Sequence, residues 1–295
     1  MKLERKASVF DLLPHIIFTS TNPLSFEQID HADGFMLYST RLTHLKSSNS
    51  SSSNLTHHHL VIENGELHDR AQVFIDRVSI LCFKISFRSY LIFFLPQIYI
   101  GTLSSALKRF DLNFTLYHTP TSPASRLEIL VENQGRICFG GAINQRKGIT
   151  GRVLVDGTPL LGWAQYRLWE DWDAVVANVS GLPSTSTDVA HAYIPAFYAG
   201  KFVLPSSLKQ PLDSFLDVGR AFSKGFAFLN GHNLGRYWPT AGPQVTLYAP
   251  SVYIRPPPAA NELVLFEVDH SPSSNAAAEV HFTDHHVING PVHKD

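Results

Sequence analysis

Lys224 to Ile254 reads KGFAFLNGHNLGRYWPTAGPQVTLYAPSVYI, and the fold class follows from it. Phe226 and Phe228 alternate with Ala227 and Leu229, the period of a strand. Asn230-Gly231 then offers the positive φ angles of a tight hairpin turn. Pro239 and the pair Gly242-Pro243 cannot sit inside a central strand, so they mark a loop. Val245, Leu247 and Ala249 resume the alternation until Pro250 stops it. The stretch therefore reads as a β-hairpin followed by a third strand.

The same rhythm extends in both directions. NELVLFEVD, from Asn261 to Asp269, is apolar on both faces through Leu263, Val264, Leu265 and Phe266, as expected of a central strand. Upstream, LHDRAQVFIDR (Leu67 to Arg77) places Ala71, Val73 and Ile75 on one face, and RLEILVENQGRICFG (Arg126 to Gly140) does the same with Leu127, Ile129 and Val131. GRVLVDGTPLLGW (Gly151 to Trp163) is a strand, an Asp-Gly turn and a return. Many short strands at this spacing, with no long helical period, predict an all-β chain of sandwich or barrel type. Positions 169–190 lose the alternation and gain Ser, Thr and Asp, which predicts a linker between two domains.

Composition narrows the function classes. The chain has 295 residues, 44% of them hydrophobic and 17% charged, enough for two domains with separate cores. A formal net charge of -1 gives no electrostatic footprint for nucleic acid. Cys82 and Cys138 are the only two cysteines, so there is neither a disulfide framework nor a zinc-type spacing. His57, His58 and His59 follow a serine-rich run and read as a flexible polar tract, since consecutive side chains point to different sides. No metal or other cofactor is expected. Asn-x-Ser/Thr triplets stand at Asn49, Asn54, Asn113 and Asn178, the last two in turn-like surroundings, and favour a secretory route. The start, MKLERKASVFDLLPHIIF, is interrupted by Asp11 and Pro14 and lacks the clean apolar core and cleavage site expected of a signal peptide. The apolar run 78–99 approaches the length of a membrane span, but Lys84, Arg88 and Pro96 break it, so no span is expected.

LHDRAQVFID, LVENQGRICFG, KGITGRVLVDG, KGFAFLNGHNLGRYWPTAGPQVTLYAP and NELVLFEVD occur in this order. Together they resemble the C-terminal β domains of the family 35 glycoside hydrolases, the β-galactosidases. The resemblance implies two jelly-roll, galactose-binding-like β-sandwich domains, at 23–168 and 191–288, joined by the linker 169–190. It makes 1–22 the remnant of a connection from an N-terminal (β/α)₈ barrel and 289–295 a tail. In that family the barrel hydrolyses terminal β-galactosides with retention, using two carboxylates about 5–5.5 Å apart. The family's acid/base motif, of the type Glu-Asn-Glu-Tyr-Gly, is absent from this sequence. Glu63, Glu66, Glu128, Glu132, Glu262 and Glu267 fall in turns or β segments, and none is assigned to catalysis.

The resemblance also sets expectations for single residues. Asn230, Gly231, Gly235, Arg236, Tyr237, Trp238, Gly242 and Pro243 read as architecture, with sugar binding as the functional alternative. Gly135 to Gly140 (GRICFG) stands where relatives often carry Gly-Arg-Val/Ile-Asn-Tyr-Gly, whose Tyr lines the galactose pocket in some of them. Phe139 would then be an apolar contact at the pocket rim, and Cys138 a small buried residue. The segment 78–99 matches nothing in the family and reads as translated intron or as a hairpin extension peculiar to this lineage. The implied partners are the chain's own barrel, a galactoside reached only through that barrel, and a second copy of the chain. The implied location is lysosomal, vacuolar or secreted.

Overall fold

The computed structural model describes residues 1–15, 17–42, 55–76, 79–86, 89–94, 97–117, 125–169, 171–185, 193–270, 272 and 278–290. Side chains of 55, 76, 79–94 and 117 fall outside that description. The chain forms two compact units: Pro14–Glu170, and Met1–Leu13 together with Asp171–Asp295.

In the Pro14–Glu170 unit a six-stranded antiparallel sheet runs in the order Phe18–Ser20, Trp163–Leu168, Phe35–Arg41, Arg126–Glu132, Arg70–Asp76, Gln97–Ser104. A four-stranded sheet runs Asp111–Tyr117, Leu55–Ile62, Val153–Val155, Thr158–Pro159. Alternation decides which side chains are enclosed. Met36, Tyr38, Leu127, Ile129 and Val131 from the first sheet cluster with Leu60, Leu112 and Val153 from the second. Tyr38 is fully enclosed, and its hydroxyl donates to Leu24 O at 2.7 Å and accepts from the Ile149 N–H at 3.1 Å. Within the run 78–99 expected as an insert, Ser79–Ser86 and Ser89–Phe94 pair with each other as a two-stranded sheet. The last residues of the run correct that reading: they begin the strand Gln97–Ser104, which pairs with Arg70–Asp76 in the main sheet.

The other unit has a six-stranded sheet ordered His232–Tyr237, Gly225–Leu229, Ala260–Glu267, Ala196–Val203, Lys2–Ser8, Ala278–Glu279. A three-stranded sheet is ordered Leu247–Ala249, Ser214–Asp217, His281–Thr283. Ala260–Glu267 is central, as its two apolar faces require. One face contributes Leu263 and Leu265 to a core with Leu3, Tyr198, Leu216 and Val280. The other presents Phe266, which stacks on Phe197 and meets Trp172 at 5.9 Å.

Two further expectations need correction. Lys2–Ser8, read as part of a connection, is an interior strand of this sheet, in antiparallel register with Ala196–Val203. Its partners lie far along the chain, so local pattern carries no trace of the pairing. Positions 169–190, read as a linker, contain the helix Trp172–Gly181. Asp171 caps it by accepting from the Ala174 N–H at 3.0 Å. Val176 and Val179 are its buried residues, and Trp172 stacks on Phe228 at 5.3 Å. Only ten residues long, with exposed polar residues between, it gives little periodic signal.

Candidate functional site

The hairpin of Gly225–Leu229 and His232–Tyr237 turns at Asn230 (φ 51) and Gly231 (φ 87), both in the left-handed region that a two-residue turn needs. Asn230 also acts as a lock. Its Nδ2 donates to Tyr253 O and Asn261 Oδ1, at 2.6 and 2.8 Å, and its Oδ1 accepts from the Glu262 N–H at 2.9 Å. Gly235 (φ 105) follows a register shift in the ladder, and Asn233 Oδ1 accepts its N–H at 2.8 Å. The Arg236 guanidinium lies over Phe226, 5.4 Å from the ring centre. Trp238 is half-buried, with Lys224 Nζ 4.3 Å from the centre of its ring. Gly242 and Pro243, joined by a cis peptide, continue into a loop where Gly290 N–H donates to Pro243 O at 3.0 Å.

Of these residues, Tyr237 reaches a buried carboxylate. Glu267, with no exposed surface, accepts the hydroxyls of Tyr237 and Ser223, each at 3.0 Å. Backbone N–H groups of Ser223, Lys224, Asp269 and His270 also donate to it, at 2.9 to 3.2 Å. Burial pushes its pKa up from 4.5 to about 7, although the backbone donors pull the other way. Burial likewise holds the Tyr237 hydroxyl well above the usual tyrosine range, with the Glu267 carboxylate adding to the rise. A charge at the end of the doubly apolar strand Ala260–Glu267 is the one sign in the sequence that Glu267 is a structural centre.

That raised value makes the stability of this unit depend on pH, with a defined sign. The folded state holds the Glu267 proton more tightly than the unfolded chain does. The contribution is therefore complete below about pH 4.5 and is lost as pH rises through 7. The full difference is about 3 kcal/mol. Chemical denaturation at pH 5 and pH 8 should show the unit less stable at pH 8, and the difference should vanish in Glu267→Gln.

Phe139 lies at the tip of a loop and is 89% exposed. Ile137 and Ile143 are exposed beside it in sequence. Cys138 is exposed as well, which corrects its expected burial: the loop leaves the sheet after Glu132, and no layer covers it. The base of the loop is held firmly. Lys147, 2% exposed, reaches Asp69 at 2.8 Å, and Asp69 also accepts the Gln134 N–H. Arg136 bonds Glu27 at 2.6 Å and Ala32 O at 3.0 Å. An apolar tip on an anchored base can fill a hollow in a partner surface.

The remaining expected positions are scattered. His57 to His59 belong to the strand Leu55–Ile62 rather than to a flexible tract: His57 and His59 point outward and His58 inward, 2.7 Å from Asp156. Among the described residues no group of three His, Cys, Asp or Glu side chains stands close enough to hold a metal ion. Asn113 is exposed on the strand Asp111–Tyr117 and Asn178 on the helix, so neither lies in a turn. Asn49 and Asn54 lie outside the described residues. No described helix is long and apolar enough to cross a membrane.

Two family models match this chain. "Beta-galactosidase, first all-beta domain" matches residues 23–93 and 85–169, and "Beta-galactosidase, galactose-binding domain" matches 195–261. A β-galactosidase of Macaca fascicularis is 32% identical over 301 residues, covering 97% of this chain and 39% of that protein. The Homo sapiens β-galactosidase is 32% identical over 308 residues, covering 100% and 40%. Beta-galactosidase 17 of Arabidopsis thaliana is 30% identical, covering 91% and 36%. The chain thus spans about two fifths of the length of the curated relatives it matches.

Proposed function

Because this chain belongs to the β-galactosidase family, we propose that it serves as the accessory β region of a β-galactosidase and performs no hydrolysis by itself. The observation that carries this reading is that both matched models describe β domains and fall on the two β units. Retaining hydrolysis needs one carboxyl to protonate the leaving oxygen and a second carboxylate across the anomeric carbon. Glu267, the one carboxyl among the described residues that is pushed toward neutrality, is sealed inside a sandwich and cannot reach a sugar. In this reading the Phe139 tip meets the catalytic barrel, where a ring without a hydroxyl supplies apolar contact at the pocket rim. The galactoside is bound through that barrel, and a second copy of the chain is a further partner. Exposed Asn113 and Asn178 support N-glycosylation and a lysosomal, vacuolar or secreted setting.

The purified chain should release no chromophore from a chromogenic β-galactoside. Turnover that disappears on substitution of one of its own carboxylates would overturn the reading. A second reading, a sugar-binding module, is favoured by the galactose-binding description of the 195–261 match. Saturable binding of free galactose to the isolated chain would select it.

A further inference from the structure

At one corner of the larger sheet of the Pro14–Glu170 unit, two arginines stand side by side. Arg41 ends the strand Phe35–Arg41, Arg126 begins Arg126–Glu132, and the antiparallel register sets them directly opposite each other. Like charges at directly opposed positions destabilise a sheet. Asp76 is opposite Arg126 on the other flank by register. The Arg126 guanidinium nevertheless turns toward the Arg41 strand, where Nε and Nη2 both donate to Ser39 Oγ, at 3.0 and 2.7 Å. Among the described residues neither arginine forms an ion pair, and Arg41 has no hydrogen-bond partner.

The space beside them is hollow, and small residues make up part of its lining. Gly162 and Ala164 line it, and Ala164 lies between Thr19 and Ser39 in adjacent strands. The hollow has a volume of about 480 Å³, and among the described residues no acidic side chain lines it. Two guanidinium forks, with hydroxyls beside them, suit the oxygens of a tetrahedral anion and can bind it bidentately. An anion between them would also turn the cross-strand repulsion into attraction. The volume lies within the range of small-molecule sites, larger than a bare ion needs.

We propose that this corner is a binding site for an oxyanion of the sulfate or phosphate type, either free or carried as an ester on a sugar-sized molecule. The site does not depend on the β-galactosidase reading. The full chain should be titrated calorimetrically with inorganic sulfate and with galactose 6-sulfate, at constant ionic strength. Saturable binding is expected, with Arg41→Gln weakening it about tenfold or more. Arg41→Gln should also raise the melting temperature in the absence of sulfate, because it removes the repulsion, and Arg126→Gln should weaken binding likewise. Tighter binding of the ester than of the ion assigns the larger molecule as the source, whereas equal affinities assign the free ion. Absence of saturable binding by either ligand, or an identical response of wild type and Arg41→Gln, would overturn the site.

Discussion

Glu267→Leu is expected to unfold the unit formed by Met1–Leu13 and Asp171–Asp295. Leucine fills similar space but accepts no hydrogen bond. Four backbone N–H groups, from Ser223, Lys224, Asp269 and His270, would be stranded, and the hydroxyls of Tyr237 and Ser223 would lose their acceptor. Each buried donor left unpaired costs about 1–3 kcal/mol, so the sum exceeds about 4 kcal/mol and approaches the whole stability of a small domain. Glu267→Gln keeps one oxygen for the four donors now meeting Oε1. Its NH2 can donate to the Tyr237 hydroxyl and strands only the Ser223 N–H, so this variant should be weakened but remain folded. Hydrogen exchange along Ala260–Glu267 separates the outcomes. Protection lost in Glu267→Leu and retained in Glu267→Gln is expected, and equal protection in both would show that the carboxylate is dispensable.

Gly225→Ala should be nearly as damaging, for a steric reason. A Cβ at this position would run into the backbone oxygen of Phe266 and the hydroxyl of Tyr237. Gly225 lies in the ladder between Tyr237 and Glu267, so neither strand can retreat without breaking pairs. Overpacking against backbone at such a place costs about 3 kcal/mol or more. Gly231→Ala is the control, since its Cβ meets nothing within 4 Å and only the positive φ of 87° is penalised. That strain is worth about 1–2 kcal/mol. Denaturant midpoints of the two variants should therefore separate clearly, and equal midpoints would contradict the packing described for Gly225.

Local chemistry made much of this fold legible. Asn230-Gly231 announced its turn, and the doubly apolar Ala260–Glu267 announced its central place, because both signals are written in neighbouring residues. Long-range pairing left no such mark. Lys2–Ser8 joins a sheet whose other members begin at Ala196, and the Arg41–Arg126 pair exists only through register. The helix Trp172–Gly181 hid because ten residues with two buried valines carry little periodicity. Phe139 entered through the family resemblance, and the fold supplied what the sequence lacked, an exposed tip on a fixed base. Cys138 was misjudged because a small thiol looks like core when nothing shows that its loop leaves the sheet.

The central claim, that these β domains belong to an enzyme whose chemistry lies in another domain, is tested most directly on the native polypeptide. An antibody raised against the 224–254 hairpin would precipitate it from cells that express it, and the precipitate would be assayed with a β-galactoside. The expected product is a chain about two and a half times as long as this one, since the relatives are matched over 39–40% of their length, and it should release galactose. A precipitate containing only the 295-residue chain, whether inert or active, would contradict the account.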